Sequence, residues 1–309
     1  MTQDIGKKLG LHRLVDEPAL KEHAVLSEQA RAKDDAAVRN LLVAEYSTED
    51  READFARYLE SREFASILHL LELFGIGKEA RICEIGGGPG WLSWALHRSG
   101  YTHVDLLEPS DEFVTGTGYL RSRSDAANIR IWNDIPSWYE DAGEYALILT
   151  RNCVHHFQGI AAIAAMIRTK VEAGGAWLML KEWFAEEASE LYRKLASHPY
   201  SQKYGLYEFP YPVHHYVESL EMVGFDLQAV VPSHYRGNAL FGNESSPSRV
   251  SSLISASCDR ALLHFPKATT WAFSLEGLVR RPLLRLRPSL PQFFRQPQAL
   301  FFKRREIDL

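Results

Sequence analysis

Cysteine is scarce: in 309 residues there are three, Cys83, Cys153 and Cys258. They are widely separated and form no Cys-x-x-Cys pair, which argues against a disulfide framework or a zinc ribbon and fits a reducing compartment, the cytoplasm. No apolar run approaches the ~20 residues that cross a bilayer. The segment from Met1 to Leu11 carries charges where an export signal would carry an apolar centre. An excess of positive charge is also missing. The formal net charge of −5 argues against a surface built throughout for nucleic-acid phosphate and confines any basic site to a local patch. There is no internal repeat and no low-complexity tract. What is present is an ordinary globular composition, 46% hydrophobic and 24% charged, sufficient for a substantial core.

From Glu17 to Phe74 the chain is charged and helical in period, with Phe55, Leu59, Phe64, Ile67, Leu68 and Leu71 recurring at three- and four-residue steps. The pattern changes at Ala80. Arg81 to Ile85 reads as a short buried strand running into glycines, followed by a helical stretch from Trp91 to Arg98. Further strands are expected at His103–Leu107, Ile129–Trp132, Tyr145–Thr150 and Ala176–Leu180, then at Phe225–Val231 and Ala299–Lys303, with a helix over Tyr216–Met222. Strands that alternate with helices imply an α/β fold around a doubly wound, mostly parallel sheet. Two long stretches interrupt it. Residues 184–213 are rich in aromatics, and 236–298 carry much Ser, Pro and Arg; insertions of this length tend to be lids or binding surfaces. The expected organisation is a helical N-terminal cap (1–78), a core (79–183), a lid (184–213), more core (214–235), a second insertion after the sixth strand (236–298) and a last strand (299–309).

A strand that runs into Gly86-Gly87-Gly88-Pro89-Gly90 and then a helix brings bare backbone amides close to a ligand. Glu108, about twenty residues further on at the end of the next strand, is placed to grip ribose hydroxyls. The dinucleotide fingerprint requires a third glycine at position 91, which is Trp91. A ligand without pyrophosphate therefore fits better than NAD(P), and an NAD(P)-dependent oxidoreductase is the weaker alternative.

The run Glu84-Ile85-Gly86-Gly87-Gly88-Pro89-Gly90 resembles the first motif of class I S-adenosylmethionine (SAM)-dependent methyltransferases. The resemblance continues in order through Glu108, Asn133-Asp134, Thr150 to Phe157, and Glu172-Ala173-Gly174-Gly175, where Ala173 replaces the family's usual proline. It implies a seven-stranded sheet, SAM as cofactor, and methyl transfer, with a non-catalytic SAM-binding protein as the other possibility. Carried over residue by residue, it implies that Gly86, Gly87, Gly88 and Gly90 pass beneath the methionine and ribose and that Glu84 helps position the methionine end. Glu108 would accept hydrogen bonds from the ribose and Asp134, beside Asn133, one from the adenine amino group. Pro109 and Ile135 would flank the ring, and Arg151 and Asn152 would line the methionine side. Asn-Asp before Ile-Pro is equally a helix-start sequence.

Methyl transfer requires in-line approach and exclusion of water, and a base where the acceptor carries a proton. His155 and His156, after the fourth strand, are the candidates, with packing of the strand end as the alternative role. Neighbouring residues in extended chain face opposite ways, so one of the two at most is expected to reach the acceptor. No remote Cys/His cluster completes a metal site, and no metal is expected. Tyr207, Tyr211, His214 and His215 are candidates for the acceptor pocket. The motif Asn/Asp-Pro-Pro-Tyr of enzymes that methylate nucleobase or glutamine nitrogens is absent, which favours a hydroxyl or carbon of a small organic or glycosyl acceptor. Arg280, Arg281, Arg285, Arg287, Arg295, Lys303, Arg304 and Arg305 form a basic stretch that reads first as a solvated edge, with an anionic substrate or a membrane surface as the alternative.

Overall fold

The computed structural model describes residues 50–157, 159–197, 209–241, 249–286 and 296–306. The first helix, α1 (Arg51–Leu59), starts where the Asp50 carboxylate accepts the Ala53 N–H at 3.0 Å, and Ser61 does the same for α2 (Arg62–Leu73) through the Phe64 N–H at 3.0 Å. Such caps satisfy amides that the first helical turn leaves without a partner. Phe64, Ile67, Leu70 and Leu71 then fall on one buried stripe of α2. Residues 1–49 of the expected N-terminal cap lie outside the described residues.

Beyond α2 the chain alternates: β1 (Arg81–Ile85), α3 (Trp91–Arg98), β2 (His103–Leu107), α4 (Gly118–Ser122), β3 (Arg130–Trp132), α5 (Ile135–Asp141), β4 (Tyr145–Arg151), α6 (Ile160–Arg168) and β5 (Val171–Leu180). It continues with α7 (Ala188–Ser197), α8 (Val213–Met222), β6 (Phe225–Val231), α9 (Arg249–His264), α10 (Pro266–Leu286) and β7 (Ala299–Arg304). The seven strands lie in the order β3-β2-β1-β4-β5-β7-β6. Every pairing from β3 to β5 is parallel, and β7 runs antiparallel to both of its neighbours.

Both faces of the sheet are covered, as parallel strands require. Alternate residues divide between two cores: Cys83, Ile85, Ile148 and Trp177 pack with Tyr139, Ile163, Tyr216 and Phe273 on one side. On the other, Ile82, Leu149 and Leu178 pack with Phe64, Ile67, Trp94 and Leu262. The order reverses at β1, whose neighbours are β2 and β4, so the crevice for a ligand opens at the carboxyl ends of these strands.

One sequence expectation is corrected here. Strand five begins at Val171 rather than Ala176, and the stretch read as a turn, Glu172 to Gly175, is bulged within it: Tyr145 pairs with Val171 but Leu147 pairs with Ala176, and Gly174 takes φ 74°. Among its described residues the second insertion carries the helices α9 and α10. Its α10 packs on β6, where the Val230 N–H donates to Thr269 Oγ1 at 3.0 Å, and α9 holds the loop after β6 through Asp259 and Ser255, which accept the N–H groups of Arg236 and Gly237 at 3.0 Å.

The residue before β7, Gln298, is fully buried and fastens that same loop. Its Nε2 donates to the carbonyls of Pro232, Ser233 and Tyr235 at 3.1, 3.1 and 2.7 Å, and its Oε1 accepts the Leu240 N–H at 3.0 Å. Removing it strands buried polar groups, each of which costs about 1–3 kcal/mol. Gln298→Ala is therefore expected to lower unfolding free energy by about 3 kcal/mol in urea titrations, and a loss under about 1 kcal/mol would show that the loop holds without it.

Candidate active site

At the end of β1 the chain turns sharply, with Gly86, Gly88 and Gly90 at φ 70°, 54° and 80°, a region in which side chains with a Cβ are strained. Space imposes the same choice. A Cβ on Gly86 would strike Sγ of Cys153, and one on Gly87 would lie 2.6 Å from Leu106 Cδ1 and 2.7 Å from Glu84 Cδ. Gly90 heads α3 but has no side chain with which to cap it. Glu84 supplies the cap from behind: its Oε2 accepts the Ser93 N–H at 2.9 Å and the Ser93 hydroxyl at 2.5 Å. Burial raises the pKa of Glu84, and the two bonds from Ser93 oppose that rise.

Glu108 follows β2 and is buried. Its Oε2 accepts the Gly88 N–H at 2.8 Å and its Oε1 the Ser110 N–H at 3.0 Å. Burial pushes its pKa up to about 7 against the pull of these two amides. Pro109 follows it, half-buried. Asn133 donates to the Glu108 carbonyl at 2.8 Å and to Thr117 Oγ1 at 3.3 Å, and it accepts from Arg121. Asp134 is the N-cap of α5 and accepts the Ser137 N–H at 2.7 Å. Ile135, the first residue of α5, is buried.

Both β4 and β5 leave the sheet through a non-glycine residue in left-handed conformation, Asn152 at φ 51° and Lys181 at φ 53°. Just before Asn152, Arg151 pairs with Glu63 of α2, whose other oxygen lies 3.6 Å from Lys181 Nζ. Tyr58 of α1 donates to Glu63 at 3.3 Å, lies under the Arg151 guanidinium at 5.5 Å and stacks on Trp91 with centroids 6.0 Å apart. Although burial alone would raise it, the Arg151 and Lys181 charges hold the Glu63 carboxyl below its ordinary pKa. Outside this cluster a cavity of about 670 Å³ opens, lined by Ala53, Arg57, Arg62, Glu63 and Ala239 among others.

His155 and His156 occupy a 3₁₀ turn, Val154–His156. The expectation that they face opposite ways is corrected: in this turn their rings lie 4.2 Å apart, because the chain is no longer extended there. His155 is buried and its Nδ1 is bonded to Glu182 Oε1, itself buried. The Glu182 carboxylate also accepts the N–H groups of Val154 at 2.8 Å, Trp183 at 3.1 Å and His155 at 3.3 Å. Burial works to raise the Glu182 pKa, but the bonded His155 imidazole and the N–H groups of Trp183 and Val154 lower it overall. The lid is tied to this turn by the Phe209 N–H, which donates to the His155 carbonyl at 2.7 Å.

Tyr211 accepts the Ala185 N–H at its carbonyl, and its ring lies 4.7 Å from that of His215 and 6.2 Å from that of Tyr216. His214 stacks on Phe273 of α10 at 4.4 Å. Tyr207 lies outside the described residues. Among the described residues, no group of three or more His, Cys, Asp or Glu side chains is arranged to hold a metal ion, and no helix is long and apolar enough to cross a membrane.

The methyltransferase-domain family profile matches residues 55–230, more than half of the chain. The chain belongs to this family. It is a methyltransferase, an enzyme, and its seven-stranded order with an antiparallel β7 is that of the class I fold. No curated protein matches the chain significantly. Similar solved structures include a SAM-dependent methyltransferase from Mesorhizobium loti (13% identity, covering 80% of this chain and 100% of that one, TM-score 0.47). A geranyl diphosphate methyltransferase has 13% identity, with 79% of this chain and 86% of that one covered, and a TM-score of 0.47. The magnesium protoporphyrin IX methyltransferase of Synechocystis PCC 6803 has 12% identity, with 67% and 91% covered, and a TM-score of 0.46. The acceptors in these names belong to those proteins.

Tyr58, Glu63, Ser93 and Glu182 were not among the residues expected from sequence. Only Glu182 carried a signal, an acid directly after strand five at the ligand edge of the sheet.

Glu108 generates a pH dependence whose sign follows from its raised pKa. The folded protein holds this proton more tightly than the unfolded chain, so the contribution is present below the ordinary value of 4.5 and is lost as pH rises to about 7. Between these limits the ligand-free wild type is expected to lose about 3 kcal/mol relative to Glu108→Gln. Urea unfolding of both proteins at four pH values checks this, and parallel curves would refute the shift.

Proposed function

We propose that this enzyme transfers the methyl group of SAM to a hydroxyl or carbon of a small organic or glycosyl acceptor, with His155 as the proton acceptor. The observation that carries this reading is the buried His155–Glu182 pair at the carboxyl ends of β4 and β5. With Nδ1 donating to the carboxylate, the imidazole is fixed in orientation and tautomer and Nε2 is its basic nitrogen. Glu182 would stabilise the imidazolium that forms when the acceptor proton moves to Nε2. His156, in ring contact with His155, would help to wall the reacting centre.

SAM supplies an electrophilic methyl on a sulfonium. The residues fit such a ligand: Gly86, Gly88 and Gly90 turn at positive φ, and with Gly87 they offer a loop of backbone at the carboxyl end of β1 with no side chain to stand between it and the ligand. Glu108 has a second lone pair on each oxygen for the ribose hydroxyls. Pro109 and Ile135 would flank the adenine, and Asp134 would receive its amino group with the carboxylate that caps α5, while Asn133 holds the two loops together. Glu84 would act through the loop it supports. Arg151 and Asn152 would border the methionine. On the acceptor side Tyr211 and His215 are the described candidates, joined by Tyr207; His214, stacked on Phe273, has a packing role.

The proposal is tested by screening hydroxylated small molecules and sugars for S-adenosylhomocysteine release. With an acceptor found, His155→Ala is expected to cut turnover about 100- to 10,000-fold at unchanged SAM affinity. Glu182→Gln should lower the rate less and move the pH–rate profile; near-wild-type turnover in a folded His155→Ala protein would end the case for a base. Independently, calorimetry should show SAM binding to Glu108→Ala weakened by about 1.5–3 kcal/mol, and equal affinity would remove Glu108 from the site.

A further inference from the structure

The two-helix insertion α9–α10 has a face that no part of the catalytic reading uses. On α10, Thr269 and Phe273 are buried against the sheet, whereas Trp271, Leu275 and Leu278 stand out 69%, 45% and 78% exposed. Their spacing of four and three residues places them on one stripe of the helix. Leu263 and Phe265 near the junction and Leu253 on α9 are exposed as well. Scattered single apolar residues are ordinary on a surface, but a contiguous stripe marks an interaction site.

Charge selects the occupant. Between Phe265 and Arg305 the sequence holds nine Lys and Arg residues and one acid, Glu276, in a chain of net charge −5. Arg304 and Arg305 are paired with Glu144 and Asp226 at the far end of β7. Lys267, Arg280, Arg281 and Arg285 lie within the span of α10. A second copy docked helix to helix would set the cations of one α10 against those of the other, like against like. An anionic bilayer accepts both features, since Trp and Leu enter the headgroup boundary while Lys and Arg meet lipid phosphate. The platform is firm, because Thr269, Ser255 and Asp259 tie both helices to β6 and its loop.

We propose that α9–α10 docks this enzyme on an anionic lipid surface, with Trp271, Leu275 and Leu278 as the inserted side chains. The full chain should co-sediment with phosphatidylglycerol-containing vesicles and not with pure phosphatidylcholine. Binding should fall at least tenfold in 0.5 M salt, where the Debye length is about 4 Å. The variant Trp271→Ser/Leu275→Ser/Leu278→Ser should lose binding at least tenfold while keeping its thermal midpoint, and a second variant, Arg280→Gln/Arg281→Gln/Arg285→Gln, should lose the preference for anionic lipid. The proposal is overturned by wild type that stays in the supernatant with anionic vesicles, or by either variant binding as well as wild type. It is equally overturned by a wild-type dimer that the serine variant dissociates and that ignores vesicles.

Discussion

A carboxylate buried behind a glycine turn is the constraint on which the site depends. Glu84 lies in the core, where an uncompensated charge would be costly, and it is compensated by the two donors of Ser93 at the head of α3. The arrangement does two things at once. It replaces the capping side chain that Gly90 lacks, and it anchors the backbone of β1 to the helix so that the turn between them has a single shape. Gly87 must then be glycine, because the Glu84 side chain occupies the space its Cβ would need. The amides of the turn are thereby pre-oriented, and one of them, Gly88 N–H, already holds Glu108 in place.

Around this anchor the site is assembled from strand ends. β2 contributes Glu108, β4 contributes Arg151 to His156, and β5 contributes Lys181 to Trp183. The left-handed residues Asn152 and Lys181 break two strands at the same level, a cost of order 1–3 kcal/mol each that the surrounding pairing must over-determine. The reward is that the turn carrying His155 and the segment carrying Glu182 leave the sheet side by side. Glu182 then gathers three backbone amides as well as the imidazole, so the carboxylate organises both loops. Glu63 performs a comparable task on the opposite face by joining the N-terminal helices to the ends of β4 and β5.

What could be read from the sequence is what depends on neighbours in the chain. The glycine turn, the limits of β1, β2, β6 and α3, and the capping sequence at Asp134 are local patterns, and the structure reproduces them. The bulge in β5 was half legible: Glu172 to Gly175 has turn composition, but only the pairing of Tyr145 with Val171 extends the strand beyond it. The Arg151–Glu63 contact spans 88 residues and has no local signature. The directions of His155 and His156 were misread because the chain after the fourth strand was taken as extended, whereas it forms a 3₁₀ turn that brings the two rings together. The face of α10 was visible in sequence only as charge, since which of its apolar residues are exposed depends on its docking to β6.

The position of β7 has a consequence for how the polypeptide acquires this shape during synthesis. It enters between β5 and β6, with Ala299 opposite both Leu180 and Val231, so the pairing with β5 closes a loop of about 120 residues. Until that segment has left the ribosome, β5 ends the sheet with an open row of amides and carbonyls, and β6 has no partner at all. An open strand edge of this kind is a template for pairing with other chains. The nascent protein is therefore most vulnerable to aggregation after β6 is made and before β7 arrives, the interval in which α9 and α10 are translated. A chaperone acting on this enzyme would have its greatest effect there.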